Sequence, residues 1–401
     1  MGNYDKTRVV ITGVGLVSSI GNNQKEVWES LTSKKSGISR NEEYVSKGLN
    51  CHISGSIKFD ASGIDHKIKR TLGDSGVWSY SAFLEAITDA GLSESDLSSS
   101  KTGVIAGTGA GCLNSFYDGI KTFDEKGLRG MNPFLVNKIM GSSVAANLST
   151  LFKIKGVSYG LSSACATGAH CIGHGTDLIK MGKQKIVIAG SSEMEHWTST
   201  VGFDALRILS NTNSRPFDKT RDGIVLSGGA AFVVLEELDS AISRGAKIYG
   251  EVTGYGYNSD GFNLVLPNLE GPLACMEEAL SLAGHPVDYI NAHATGTLLG
   301  DQNELSCIKT IFKDKIPLIS STKGLTGHAL GAAGSLELVY SLLMMKNNQV
   351  IGCVNIKELD PLAEELKVLT DNHLTEVGAI MSNSFGFGGT NCSLVVKKLK
   401  I

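Results

Sequence analysis

No stretch of this sequence offers the roughly 18 uninterrupted apolar residues that a membrane-spanning helix requires. Neither sign of charge is in excess. The 37 Lys and Arg nearly balance the 40 Asp and Glu, which leaves no global field to attract nucleic acid or an anionic membrane. Any acidic partner must be met by a local patch. The eight cysteines form no CxxC pair and no regular spacing, which argues against a zinc ribbon or a disulfide framework and for a reducing compartment. Most of them read as small core residues. No Pro/Ser-rich linker or low-complexity stretch divides the 401 residues, a length that suits two or three domains or one large duplicated α/β unit. The protein is expected in the cytoplasm.

What is present is a rhythm. Short β-branched runs alternate with helical stretches: RVVITGVG, TGVIAGTGAG, KIVIAGSSE, GAAFVVLEEL, YINAHATGT, IPLISSTKG and VGAIMSNSFGFGG. Such alternation predicts a mixed or parallel sheet wrapped by helices. The opening run, TRVVITGVGLVSSIG, has cations before an apolar segment as a secretion signal does. Being short, β-branched and interrupted by glycine, it reads instead as a buried parallel strand followed by a glycine turn. The nearest candidate boundary lies around Ser243 to Gly261, and two halves sharing one core fit better than separate beads. ITGVGLVSS and GTGAG both fall short of a dinucleotide fingerprint.

Chemistry concentrates where strands end. Cys165, in LSSACATGAHCIGHG, follows a strand-like run and precedes a helix of small residues. A thiol at a helix N-terminus is acidified by the macrodipole, and free N–H groups there can hold an oxyanion. A plain buried thiol is the alternative. His293 in NAHATGT and His328 in KGLTGHALGAAG sit in loops after strands, and Lys323 stands five residues before His328. One such histidine is ordinarily structural. Two of them with a cysteine and a lysine point to a thiol-based site, either a hydrolase or a carbon–carbon bond-forming enzyme; the second needs two neutral donors for a developing enolate. SNSFGFGGTNCSLVV reads as a glycine-rich loop between two strands, serving a ligand or a gate, or as a plain hairpin. His170 and His174 lie at i and i+4 without the Glu of a zinc helix, and read as core or supporting histidines.

Taken in order, SSACATGAHCIGHG, HATGT, STKGLTGHALGAAGSLE and NSFGFGGTN resemble the β-ketoacyl-[acyl-carrier-protein] synthases, most nearly the synthase I type of type II fatty-acid synthesis. The resemblance implies a thiolase fold: duplicated α/β halves, 1–250 and 251–401, in a five-layered α-β-α-β-α core, paired as a homodimer. It implies that Cys165 takes an acyl chain from acyl carrier protein, that His293 and His328 stabilise the enolate left when malonyl loses CO2, and that Lys323 and Glu337 organise the pair. By the same similarity Cys165 and Phe387 supply the oxyanion hole, with Phe387 also a gate. Thr295 and Thr297 would bond the phosphopantetheine arm, and Ala110 would line the acyl pocket. Lys67, Arg70 and Arg129 would dock the acidic carrier. A structural monovalent cation would lie near Asn291, Glu337, Ser382 and Asn383. No catalytic metal, redox cofactor, nucleic acid or membrane is implied.

Overall fold

The computed structural model describes residues 7–399. Ten strands form one mixed sheet: β1 (Val9–Ser18), β2 (Thr102–Gly107), β3 (Ser158–Tyr159), β4 (Ile186–Glu193), β5 (Gly229–Glu237), β6 (Gly250–Ser259), β7 (Tyr289–Asn291), β8 (Leu318–Ser320), β9 (Ala379–Gly386) and β10 (Thr390–Lys397). Their order is β8-β7-β9-β10-β6-β1-β5-β4-β2-β3. Reading outward from the centre, β1-β5-β4-β2-β3 and β6-β10-β9-β7-β8 repeat one pattern, with two antiparallel junctions followed by two parallel ones. The halves meet where β1 touches β6 over only two residue pairs, Val10 with Glu251 and Ile11 with Gly250.

Helices complete five layers, as the thiolase fold requires. Asp74–Asp89 and Ser143–Leu151 cover the outer face of the first half-sheet, and Glu270–Ala283 covers that of the second with Leu298–Phe312 beside it. Between the half-sheets lie Thr167–Lys180 and Ala333–Asn347, packed on each other and on strands of both halves. A helix buried on every side must be apolar or small all round. Ala333 to Met345 is buried without a break, even at its polar positions Ser335, Glu337 and Ser341. In Thr167–Lys180 the small residues are obligatory: a Cβ on Gly173 would stand 2.2 Å from the Tyr255 ring, and one on Gly168 would stand 2.6 Å from the Ser335 nitrogen.

One expectation is corrected here. β1 is buried along its whole length but runs antiparallel to both neighbours. Helices on both of its faces produce the same unbroken apolar run that parallel strands show. The stretch around Ser243 to Gly261 holds β6, the innermost strand of the second half-sheet, so the second half begins inside the expected boundary. No helix among the described residues is long and apolar enough to cross a membrane.

Candidate active site

Cys165 lies just before the helix Thr167–Lys180, at its N-terminal mouth. The strand expected ahead of it is only β3, and the chain between them is irregular. Ala164 adopts a left-handed φ of 49°, a sharp turn that sets the next side chain off the local path. The Thr167 hydroxyl fastens this turn, accepting from the Ser163 N–H at 2.8 Å and donating to the Ala164 carbonyl at 2.7 Å. His170 supports it from one turn further on, lying 2.6 Å from the Ser163 hydroxyl and 3.2 Å from the Asn391 carbonyl. The Cys165 sulfur is 3.0 Å from His328 Nε2 and accepts from the Phe387 backbone N–H. Burial pushes the thiol up to about 12, against the pull of the Lys323 charge and the Phe387 N–H.

The two histidines converge on that sulfur from the other half. His293 comes off the end of β7, and its ring stands edge-on to His328 with centroids 5.3 Å apart and an interplanar angle of 86°. His328 does not follow its strand directly: the short helix Lys323–Thr326 intervenes. Its backbone is instead pinned to the segment before β5, donating to the Val225 carbonyl at 2.7 Å and accepting from Ser227 at 2.9 Å. Burial, then the Lys323 charge, holds both imidazoles well below their usual range, so both are neutral at neutral pH. Lys323 is fully buried and ion-paired with Glu337 on the helix Ala333–Asn347. Burial raises the Glu337 carboxyl to about 7 despite that pairing.

A set of buried acids that the sequence reading passed over holds the His293 loop. Glu304 accepts from the N–H groups of His293 (2.9 Å) and Ala294 (2.8 Å) and from Asn383 Nδ2 (3.0 Å). Asp301, one turn earlier on the same helix, accepts from Gly296 N–H at 3.1 Å and lies 3.4 Å from Arg221, which itself donates to the Thr297 and Leu298 carbonyls. The signal was present: two acids three residues apart at the start of the helix that follows HATGT. Thr295 and Thr297 bring their hydroxyls within 3.2 Å of each other.

Cys165, His293, His328, Thr295, Thr297 and Phe387 all line one cavity of about 250 Å³, together with Phe203, Ile208, Ile224 and residues 263–268. The glycine-rich segment is the hairpin turn between β9 and β10, with Gly386 opposite Thr390. Phe387 at its tip stacks on Phe203, centroids 5.8 Å apart. Residues 6–241 match the model of the β-ketoacyl synthase N-terminal domain, and residues 249–357 match that of its C-terminal domain. The chain belongs to the β-ketoacyl synthase family. It is 46% identical to a 3-oxoacyl-[acyl-carrier-protein] synthase 1 of Haemophilus influenzae, an alignment covering 98% of this chain and 99% of that protein. Among solved structures, the ishigamide ketosynthase/chain length factor superposes with a TM-score of 0.93 at 29% identity, covering 98% and 100% of the two chains. A type II polyketide ketosynthase in complex with its acyl-carrier protein gives 0.89 at 26% identity over 98% and 100%.

Against the β-ketoacyl synthase pattern, the remaining expected residues fall into separate places. Ala110 is exposed, does not line the cavity with Cys165, and directs its N–H to Glu193 at 3.2 Å. Lys67 and Arg70 are exposed on the helix His66–Thr71, which packs on the helix Leu135–Ile139; Arg70 lies over the Phe134 ring. Arg129 is exposed in the turn Leu128–Gly130. Of the four residues set near a cation, Asn291 Oδ1, Glu337 Oε2 and Ser382 Oγ are buried oxygens with no hydrogen-bond partner among the described residues. Hard oxygens with one carboxylate fit a monovalent cation, which would there neutralise buried lone pairs.

Proposed function

We infer that this chain is a decarboxylating condensing enzyme of fatty-acid elongation. An acyl chain taken from acyl carrier protein onto Cys165 is joined to malonyl-[acyl-carrier protein], giving β-ketoacyl-[acyl-carrier protein], CO2 and free carrier. The observation that carries the reading is the Cys165 sulfur at 3.0 Å from His328 Nε2, with the neutral His293 ring beside it, both lining one cavity of about 250 Å³.

In the first half-reaction the sulfur attacks the acyl thioester. Its proton has His328 Nε2 within reach and leaves on the carrier's thiol. The N–H groups of Phe387 and Cys165 are the donors for the oxyanion. In the second, the malonyl carboxylate departs as CO2 and its bonding electrons pass into the thioester as an enolate. The enolate oxygen accepts from the two imidazole N–H groups. The enolate carbon then attacks the acyl-cysteine, the carbon–sulfur bond breaks, and the sulfur regains a proton taken up from solvent. These steps balance without a redox cofactor. Lys323 and Glu337 hold the electrostatic frame in which the imidazoles stay neutral, and the Thr295 and Thr297 hydroxyls hold the pantetheine arm.

The exposed cations Lys67, Arg70 and Arg129 receive an acidic carrier. The exposed strand β3 at the free edge of the sheet supports pairing with a second copy into a homodimer, because an open edge offers unpaired backbone groups. The cytoplasm is the compartment where eight buried free thiols and malonyl chemistry are compatible. A partner subunit of the chain-length-factor kind would have no use for the aligned Cys165 and His328. A synthase II or polyketide ketosynthase differs in preferred chain. Intact mass spectrometry after incubation with acyl-carrier proteins of several lengths, beside Cys165→Ala, tests both points: an acyl adduct on wild type alone establishes the nucleophile and ranks the chains, and no adduct at any length rejects the reading.

A further inference from the structure

Glu193 ends β4, is fully buried, and has no part in the chemistry above. Its carboxylate gathers donors from two loops. From the loop after β2 come the N–H groups of Gly109 (2.6 Å) and Ala110 (3.2 Å) and the Thr108 hydroxyl (3.2 Å). From the turn that follows His328 comes the N–H of Gly331 (3.1 Å), beside Leu330 with its left-handed φ of 48°. The loops are pressed together at this point. A Cβ on Gly331 would lie 2.3 Å from the Gly109 nitrogen and 2.5 Å from Glu193 Oε2. The titratable groups that face the carboxylate are Cys165 from the nucleophile loop and Cys112 from the loop after β2, each raised in part by its charge. The turn itself carries none nearer in sequence than His328.

We propose that Glu193 is a positioning residue: ionised, it clasps the Gly109–Ala110 loop to the turn after His328 and so holds that imidazole against the Cys165 sulfur. A carboxylate accepts four donors at once, whereas a protonated carboxyl turns one oxygen into an O–H that confronts other donors. The clasp loosens when the group gains a proton. Burial has pushed Glu193 up to about 7, so the change falls within the working range, and condensation slows as the pH drops through it.

The rate effect rests on the condensing activity inferred above; the clasp itself is read without it. The imidazole nitrogen resonances of His328 in 15N-histidine-labelled protein, assigned with a His328→Ala variant, should shift with a midpoint near pH 7. This midpoint cannot be the ring's own, since His328 titrates well below its usual range. In Glu193→Gln the resonances should keep the acid-side position at every pH, and in Glu193→Asp a midpoint should return. Condensation by wild type should show the same midpoint, and E193Q should run at least about 10-fold slower without it, a loss of about 1.4 kcal/mol in barrier terms. A wild-type His328 signal that is flat through pH 7 overturns the clasp whether or not E193Q folds. A midpoint that persists in folded E193Q overturns it equally. A His328 signal that titrates in wild type and not in E193Q, in a protein that condenses nothing, upholds the clasp and rejects the proposed activity; loss of the midpoint in E193Q is what separates Glu193 from Glu337, which titrates in the same range.

Discussion

Replacing Lys323 by Met removes the only cation among the described residues that the buried Glu337 carboxylate meets as an ion pair. Stripping one partner from a buried pair typically costs about 3 to 5 kcal/mol, because the other charge is left without compensation. A carboxyl has an escape, which is to take up a proton. In wild type Glu337 sits at about 7, above the usual carboxyl value near 4.5, so the stability it contributes is complete below about 4.5 and is lost as the pH rises through 7. Without Lys323 the folded value moves higher still. The two proteins then differ little from this source below pH 7, and above it the variant loses up to about 1.4 kcal/mol more per pH unit. Chemical denaturation of both proteins at about pH 6, 7.5 and 9 measures this directly, and Lys323→Met with Glu337→Gln, lacking the stranded charge, should recover most of the loss at pH 9. A K323M penalty that is the same at pH 6 and pH 9 would refute the reasoning.

Glu304→Gln keeps one acceptor oxygen but cannot satisfy His293, Ala294 and Asn383 together, so release of CO2 from malonyl carrier should fall about 10- to 100-fold while acylation of Cys165, followed by mass, is unchanged. Gly168→Ala forces a methyl against the Ser335 backbone and should lower the melting temperature by several degrees, corresponding to about 1 to 3 kcal/mol. Iodoacetamide alkylation of Cys165, resolved by peptide mapping, should keep rising with pH through 9, because burial holds the thiol near 12; a plateau below pH 8 would show a resting thiolate instead.

Much of the site was legible because its chemistry sits in short, locally distinctive segments. The small residues after Cys165 announced a buried helix, and the pairing of His293 with His328 beside Lys323 announced a polar cluster too costly to build for packing alone. Strand direction was not legible: β1 is enclosed by helices on both faces, and enclosure gives the same apolar run whether its neighbours are parallel or antiparallel. β6 escaped notice because Gly254 and Gly256 weaken its pattern. Their reason is tertiary, since a Cβ on either would stand 2.1 Å from a carbonyl of the helix Glu270–Ala283. Glu193, Asp301 and Glu304 look like ordinary surface acids until the loops that donate to them fold back. Ala110, judged from its place in a family pattern, is exposed and outside the cavity.

The repeated strand order has a consequence for how the reaction is divided. The connection from β3 to the helix Thr167–Lys180 and the connection from β8 to the helix Ala333–Asn347 are the same structural position in the two halves. One bears Cys165, the other Lys323 and His328, and they face each other at the centre of the molecule. An ancestor with two identical copies would have presented like against like there, thiol to thiol or imidazole to imidazole. With His293 added from the neighbouring connection after β7, the two halves hold complementary parts of the site, so that neither retains a working site by itself.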